Sequence, residues 1–153
     1  MNRNEFFTRL ALAVYKLDGA YDYFAKGGGV KPNLMWLLYA LNDGKKHTQV
    51  QICDQWLFPR STVNTLVKQC ESEGLVALCK IEGEKREMQV VLTEKGRAFA
   101  DKILEPVYRA EQQLFDGYLA KNGYSFLEEL EKFGEQTEKL FARINKVHLK
   151  EGD

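Results

Sequence analysis

The chain has 153 residues, 44% hydrophobic and 29% charged, with 22 Lys plus Arg against 22 Asp plus Glu. It is long enough for one domain by the usual prior of roughly 100 to 200 residues, and too apolar for wholesale disorder. The zero net charge removes bulk charge as an argument for nucleic-acid binding, so any such role must rest on where the charges lie.

No apolar run approaches the roughly 20 residues needed to span a bilayer, and the N-terminus lacks a secretory-signal pattern. A cytoplasmic protein without a membrane partner is expected. Cys53, Cys70 and Cys79 form an odd set without metal-type spacing, which fits reduced thiols.

From residue 4 to 24, Phe7, Leu10, Ala11, Val14, Leu17 and Tyr21 keep helical spacing, predicting an amphipathic first helix. Gly27-Gly28-Gly29 ends it. The triplet lacks the G-x-x-x-x-G-K-[ST] pattern and a preceding strand, so it reads as an interhelix loop instead of a phosphate cradle. Pro32 can open a second helix through Leu34, Trp36, Leu37, Leu38 and Leu41 to a stop near Gly44. Tyr15, Tyr21, Tyr23, Phe24, Trp36 and Tyr39 give these helices an aromatic bias. They could line a pocket for a small aromatic effector, closed by the long helix further on, although core packing is the simpler reading of each ring.

Thr48-x-x-Gln51 has the capping-box pattern at the start of a third helix, whose Val50, Ile52, Cys53, Trp56 and Leu57 supply an apolar face. A short connection around Trp56, Leu57 and Phe58 follows. Pro59 suits the first position of a fourth helix, because no backbone N–H is needed there. Val63, Leu66, Val67 and Cys70 recur at i, i+3, i+4 and i+7 and define its buried face. Ser61, Asn64, Thr65 and Lys68 then fall on or near the opposite face, with Arg60 at the N-terminal end. Short hydrogen-bonding groups and cations so placed can reach base edges and phosphates in a major groove. The pair forms a helix-turn-helix.

Gly74 stops the fourth helix. Leu75 to Ile81 reads as a strand, residues 82–87 as a charged turn, and Met88 to Leu92 as a returning strand. Lys85 and Arg86 sit at or beside the hairpin tip, where a cation can touch phosphate or enter a minor groove. Thr93 is a good N-cap for a long helix through Gly96, Phe99, Ile103 and Val107 to about Leu119, with a kink expected at Pro106. Asn122-Gly123 breaks the chain. Ser125-x-x-Glu128 reads as a second capping box, opening a last helix with Leu127, Leu130, Phe133, Thr137, Leu140, Phe141, Ile144 and His148 on one stripe.

Pro59-Arg60-Ser61-Thr62-Val63-Asn64, Glu73-Gly74-Leu75-Val76, the wing Glu84-Lys85-Arg86 and Leu92-Thr93-Glu94-Lys95-Gly96, in this order and spacing, resemble the winged-helix regulators of the multiple-antibiotic-resistance (MarR) type. The resemblance covers nearly the whole chain. It implies a homodimeric transcription factor that binds a pseudo-palindromic operator in double-stranded DNA and is often released by a small ligand or an oxidant. Arg60, Ser61, Thr62, Asn64, Thr65 and Lys68 match the family's recognition helix, and Arg86 its wing arginine. Glu84 replaces the usual Asp of the wing. Leu57 replaces a Gly of the turn, suggesting a turn without positive φ.

The expected fold is mainly α with a small two- or three-stranded β wing: a winged helix-turn-helix flanked by N- and C-terminal dimerisation helices. Residues 1–44 would be dimerisation and scaffold helices, 45–96 the DNA-binding unit and 97–150 long dimerisation helices. Lys45, Lys46, Arg60, Lys68, Lys80, Lys85, Arg86, Lys95 and Arg97 cluster in the centre, whereas Glu105 to Glu138 is acidic. This supports a basic reading surface beside acidic pairing helices.

The predicted function is a sequence-specific regulator, acting as a repressor released by an effector. A winged helix used as a protein-interaction module and a thiol-responsive regulator are the alternatives. Cys53, Cys70 and Cys79 all fall in apolar positions, which favours inert small hydrophobes. Only His47 and His148 are available as imidazole ligands, and no catalytic constellation is legible, so neither a metal, a cofactor nor an enzyme is expected.

Overall fold

The structure is a computed structural model that describes all residues except Glu82, Glu84, Lys85, Arg86, Gly152 and Asp153, and omits the side chains of residues 146–151. The wing residues Lys85 and Arg86, their Glu84 neighbour and the His148 side chain therefore lie outside the described residues.

The elements run α1 (Arg3–Gly27), α2 (Pro32–Leu41), β1 (His47–Thr48), α3 (Gln49–Trp56), α4 (Arg60–Ser72), β2 (Val76–Lys80), β3 (Met88–Leu92), α5 (Glu94–Leu114), a π-helical turn (Phe115–Leu119), α6 (Ala120–Asn122) and α7 (Ser125–Glu151). Two compact units result, Met1–Arg109 and Ala110–Asp153.

In the first unit the sheet is antiparallel with order β1-β3-β2. Val76 faces Leu92 and Lys80 faces Met88 across β2 and β3, while His47 pairs with Val90. The hairpin expected from the sequence is thus joined by a third short strand. Partial burial pulls the Asp43 carboxyl up, but hydrogen bonds and charge from His47 and Lys45 outweigh it and hold it below the usual carboxylate value. His47 Nε2 lies 2.9 Å from Asp43 Oδ1, tying β1 to the preceding loop.

Two apolar clusters share α2 as a wall. Leu37 and Leu41 pack with Ile52, Cys53, Val63, Leu66, Val67, Cys70, Leu75, Val76 and Val90. Met35 and Leu38 pack instead with Ala25, Ala100, Leu104 and Val107. A helix that is apolar nearly all round can only be stable when both sides are covered, and PNLMWLLYAL is such a sequence. The expected amphipathic face of α1 is largely uncovered: Phe7, Val14 and Leu17 are exposed, and only the end near Ala25 is buried.

Gly96 is the tightest point of the unit. A Cβ there would overlap the Leu75 carbonyl oxygen. Thr93 N–H donates to Leu75 O at 3.0 Å, its hydroxyl donates to Gly74 O at 2.7 Å, and the same oxygen accepts from Gly96 N–H at 2.9 Å. Thr93 therefore caps α5, as expected from the sequence, and also fastens it to the chain leaving α4. Lys95 belongs to this joint as well, donating from Nζ to Glu73 O at 2.6 Å; part of the central basic charge is thus spent on structure.

The α5 helix continues across Pro106 without a break. Its irregularity comes later. The run expected to reach Leu119 changes at Leu114 to a π-helical turn over Phe115–Leu119, in which the Ala120 N–H bonds Phe115 O. In the second unit, Ser125 is the first helical residue of α7 and not its cap; Leu127 N–H bonds Tyr124 O, so the expected Ser125–Glu128 box gives way to a start one residue earlier. Leu127, Leu130, Leu140, Phe141 and Ile144 are exposed along α7.

Gly96→Ala should lower the unfolding free energy by about 3 kcal/mol, the upper end of overpacking costs, in urea titration. Gly134→Ala, where a Cβ meets open space in mid-helix, should raise it by about 0.5 to 1 kcal/mol.

Candidate nucleic-acid interface

The interface begins with the capping box. Gln51 N–H donates to Thr48 Oγ1 at 3.1 Å, and Thr48 N–H donates to Gln51 Oε1 at 2.8 Å, which starts α3 as its sequence predicts. The turn after it differs from expectation. Leu57 has φ 52° and ψ 31°, left-handed and the one non-glycine with positive φ among the described residues. Its neighbours explain the strain: Trp56 and Phe58 both pack against the core of the winged unit, which leaves Leu57 81% exposed at the apex. The turn still needs the positive φ that glycine would give without cost.

Pro59 is the N-cap of α4, at φ −58°, and Arg60 its first residue, one position later than the sequence suggests. Thr62 and Val63 N–H groups reach Pro59 O, and no side chain caps the helix. Val63, Leu66, Val67 and Cys70 are buried as their spacing requires. Arg60, Ser61, Asn64, Thr65 and Lys68 are exposed, whereas Thr62 is half-buried. Among the described residues the side chains of Arg60, Ser61, Asn64 and Lys68 have no hydrogen-bond or ion-pair partner, so their donors and acceptors are open to a ligand. Thr65 differs: its hydroxyl donates to Ser61 O at 2.9 Å and retains only acceptor capacity. Lys45, Lys46 and Lys80 are exposed beside this unit.

The thiols are poorly placed for chemistry. Cys53 and Cys70 are buried and Cys79 is half-buried. Burial, reinforced by the Glu73 charge, pushes the Cys70 thiol up to about 11. Among the described residues no group of His, Cys, Asp and Glu could hold a metal ion, and no helix is long and apolar enough to cross a membrane.

A helix-turn-helix, a three-stranded wing and an open polar helix face define a winged-helix protein. The sequence model of the MarR family matches residues 29–87, which hold α2, both helices of the motif and strands β1 and β2, and end just before β3. A MarR family regulator from Neisseria meningitidis is similar over 94% of this chain and 99% of its own, at 25% identity and a TM-score of 0.76. Over residues 29–87 the chain carries a winged helix similar to the MarR family's, and over nearly its whole length it has the fold of MarR family transcriptional regulators. The same fold recurs in a MarR family regulator from Listeria monocytogenes complexed with 26-mer DNA, at 16% identity, TM-score 0.70 and 92% and 93% coverage of the two chains. It also recurs in Bordetella bronchiseptica BpsR, whose DNA binding is regulated by 6-hydroxynicotinic acid, at 18% identity, TM-score 0.65 and 88% and 96% coverage. A comparison with curated proteins gives no match.

Two outcomes follow from this geometry. Leu57→Gly should stabilise the chain by about 0.5 to 1 kcal/mol, because the left-handed penalty of about 1 to 2 kcal/mol exceeds the entropy cost of glycine; a thermal melt reads it. Cys70 should resist thiol reagents in the native chain at neutral pH. Its raised value also means that the unfolded chain loses the proton first, near 9, so stability should fall between pH about 9 and 11, and that fall should be absent from Cys70→Ala.

Proposed function

We propose that the chain is a homodimeric, sequence-specific DNA-binding repressor released by a small-molecule effector. The observation that carries this reading is the face of α4, where Arg60, Ser61, Asn64 and Lys68 stand exposed and without a side-chain partner among the described residues, opposite a buried apolar stripe. Asn64 suits a base edge, Lys68 and Arg60 suit phosphate, and Ser61 and Thr65 suit either. Thr62 lies at the margin of that face. Lys85 and Arg86 of the wing are the proposed groove contacts beyond the helix.

Residues 1–44 and 97–150 would supply the pairing helices around a reading unit at 45–96. The support is the apolar side chains left uncovered on α1 and on α7, which a second copy would remove from water. A two-fold pair would present two α4 helices to half-sites one helical turn apart. The DNA-bound relative and the relative regulated by 6-hydroxynicotinic acid support duplex DNA and a small aromatic effector as partners. An effector can release DNA only by favouring one of two conformations over the other. The zero net charge favours a second reading, a winged helix that binds protein and no DNA.

Selection from a random duplex library separates the two. The wild type should enrich an inverted repeat with half-sites about 10 base pairs apart. Asn64→Ala and Arg86→Ala should each weaken binding to it by about tenfold or more, and affinity should fall steeply with salt. No enrichment over repeated rounds at low salt would overturn the DNA-binding reading and turn the search to a protein partner.

A further inference from the structure

A cleft of about 610 Å³ opens where the end of α1 and the start of α2 meet the turn between α3 and α4. Its apolar lining is Trp36, Trp56, Phe58 and Leu66, and its rim carries Asp18, Asp22, Lys26, Lys31 and Asn33. The sequence suggested a pocket closed by the long helix after the wing, but no α5 residue lines this cleft. The contacts between α2 and α5 are packing: Tyr39 and Tyr108 lie 5.6 Å apart, and Asn42 bridges Asp101 and the Tyr108 hydroxyl.

We infer that this cleft binds an aromatic zwitterion, a molecule with one flat ring system, one ammonium and one carboxylate. Its volume falls within the roughly 300 to 1,000 Å³ of small-molecule sites, and its wall offers aromatic surface for a ring. The charges choose the class. Lys26 Nζ and Asp22 Oδ2 pair at 3.4 Å, one turn apart on α1, and largely satisfy each other. Asp18, one turn before Asp22, has no partner among the described residues, and neither has Lys31 ahead of α2. One open negative and one open positive charge therefore stand on the same rim. Lys31 occupies the N-cap of α2, where no side chain caps the helix, so the positive end of the helix adds to the pull on a carboxylate. A singly charged ligand would meet one of these charges and leave the other to water. A zwitterion engages both through charge-assisted hydrogen bonds.

The site also joins the parts that an effector must couple. Asp18 belongs to α1, Lys31 and Trp36 to α2, Trp56 and Phe58 to the two ends of the strained turn, and Leu66 to α4. A bound ring wedged there would bear on the set of α4 against the scaffold helices. This consequence rests on the DNA-binding reading, whereas binding itself does not.

Calorimetry on the full chain without DNA tests the ligand class with three probes sharing an indole: L-tryptophan, tryptamine and indole-3-propionate. L-tryptophan should bind about tenfold more tightly than either singly charged probe, the margin of one solvent-accessible charge-assisted contact. Asp18→Asn should reduce L-tryptophan to the level of indole-3-propionate, and Lys31→Gln to that of tryptamine. Trp56→Ala should weaken all three. Equal affinities, a preference for either singly charged probe, or no binding by any of them would overturn the inference. Because no duplex is present, those results leave the DNA-binding reading untouched, and a failed duplex selection leaves them untouched in turn.

Discussion

The winged unit depends on two backbones touching at Gly96 and Leu75. An added methyl group at Gly96 would occupy the space of the Leu75 carbonyl, so α5 can approach only because that side chain is missing. Thr93 exploits the approach with both its N–H and its hydroxyl, and Lys95 reaches the carbonyl of Glu73, the C-cap of α4. The end of α4, the start of β2, the end of β3 and the start of α5 thereby meet at one place. The strings Glu73-Gly74-Leu75-Val76 and Leu92-Thr93-Glu94-Lys95-Gly96 are two halves of one joint. It fixes how the polar face of α4 is carried by the rest of the unit.

On the other side, α2 does comparable work by packing alone. Its ten residues contribute to both apolar clusters, so the helix-turn-helix and the contacts of α1 with α5 share one wall. Side chains in such a wall are close-packed, and a shift on one side is felt on the other. The aromatic residues of α2 continue this wall to the turn: Trp36 and Tyr39 lie 5.5 and 5.8 Å from Trp56. Strain at Leu57 is tolerated because the rings flanking it are held inside.

Most elements were legible because their signals are local. The Thr48–Gln51 box, the stripe Val63-Leu66-Val67-Cys70, the stop at Gly74 and the cap at Thr93 each follow from a few neighbouring residues. Where tertiary structure decides, the sequence was silent or misleading. Leu57 argued against positive φ, but the burial of Trp56 and Phe58 imposes it. Nothing in the chain near Gly96 signals that a carbonyl from Leu75 lies against it. The π-helical turn and the earlier start of α7 depend on how the backbone closes between Leu114 and Ser125. The face of α4 was readable from its 3.6-residue period. The cleft was not, because its lining comes from four elements between Asp18 and Leu66 and forms no linear motif.

The pairing of Trp36 with Trp56 has an optical consequence. They are the two tryptophans of the chain, their ring centres are 5.5 Å apart, and Tyr21 and Tyr39 lie within 6 Å of one or the other. Light absorbed by these tyrosines funnels to a single indole pair. One of its members rides on α2 and the other on the last turn of α3, so the intrinsic emission of the whole protein is a gauge of the seam between them.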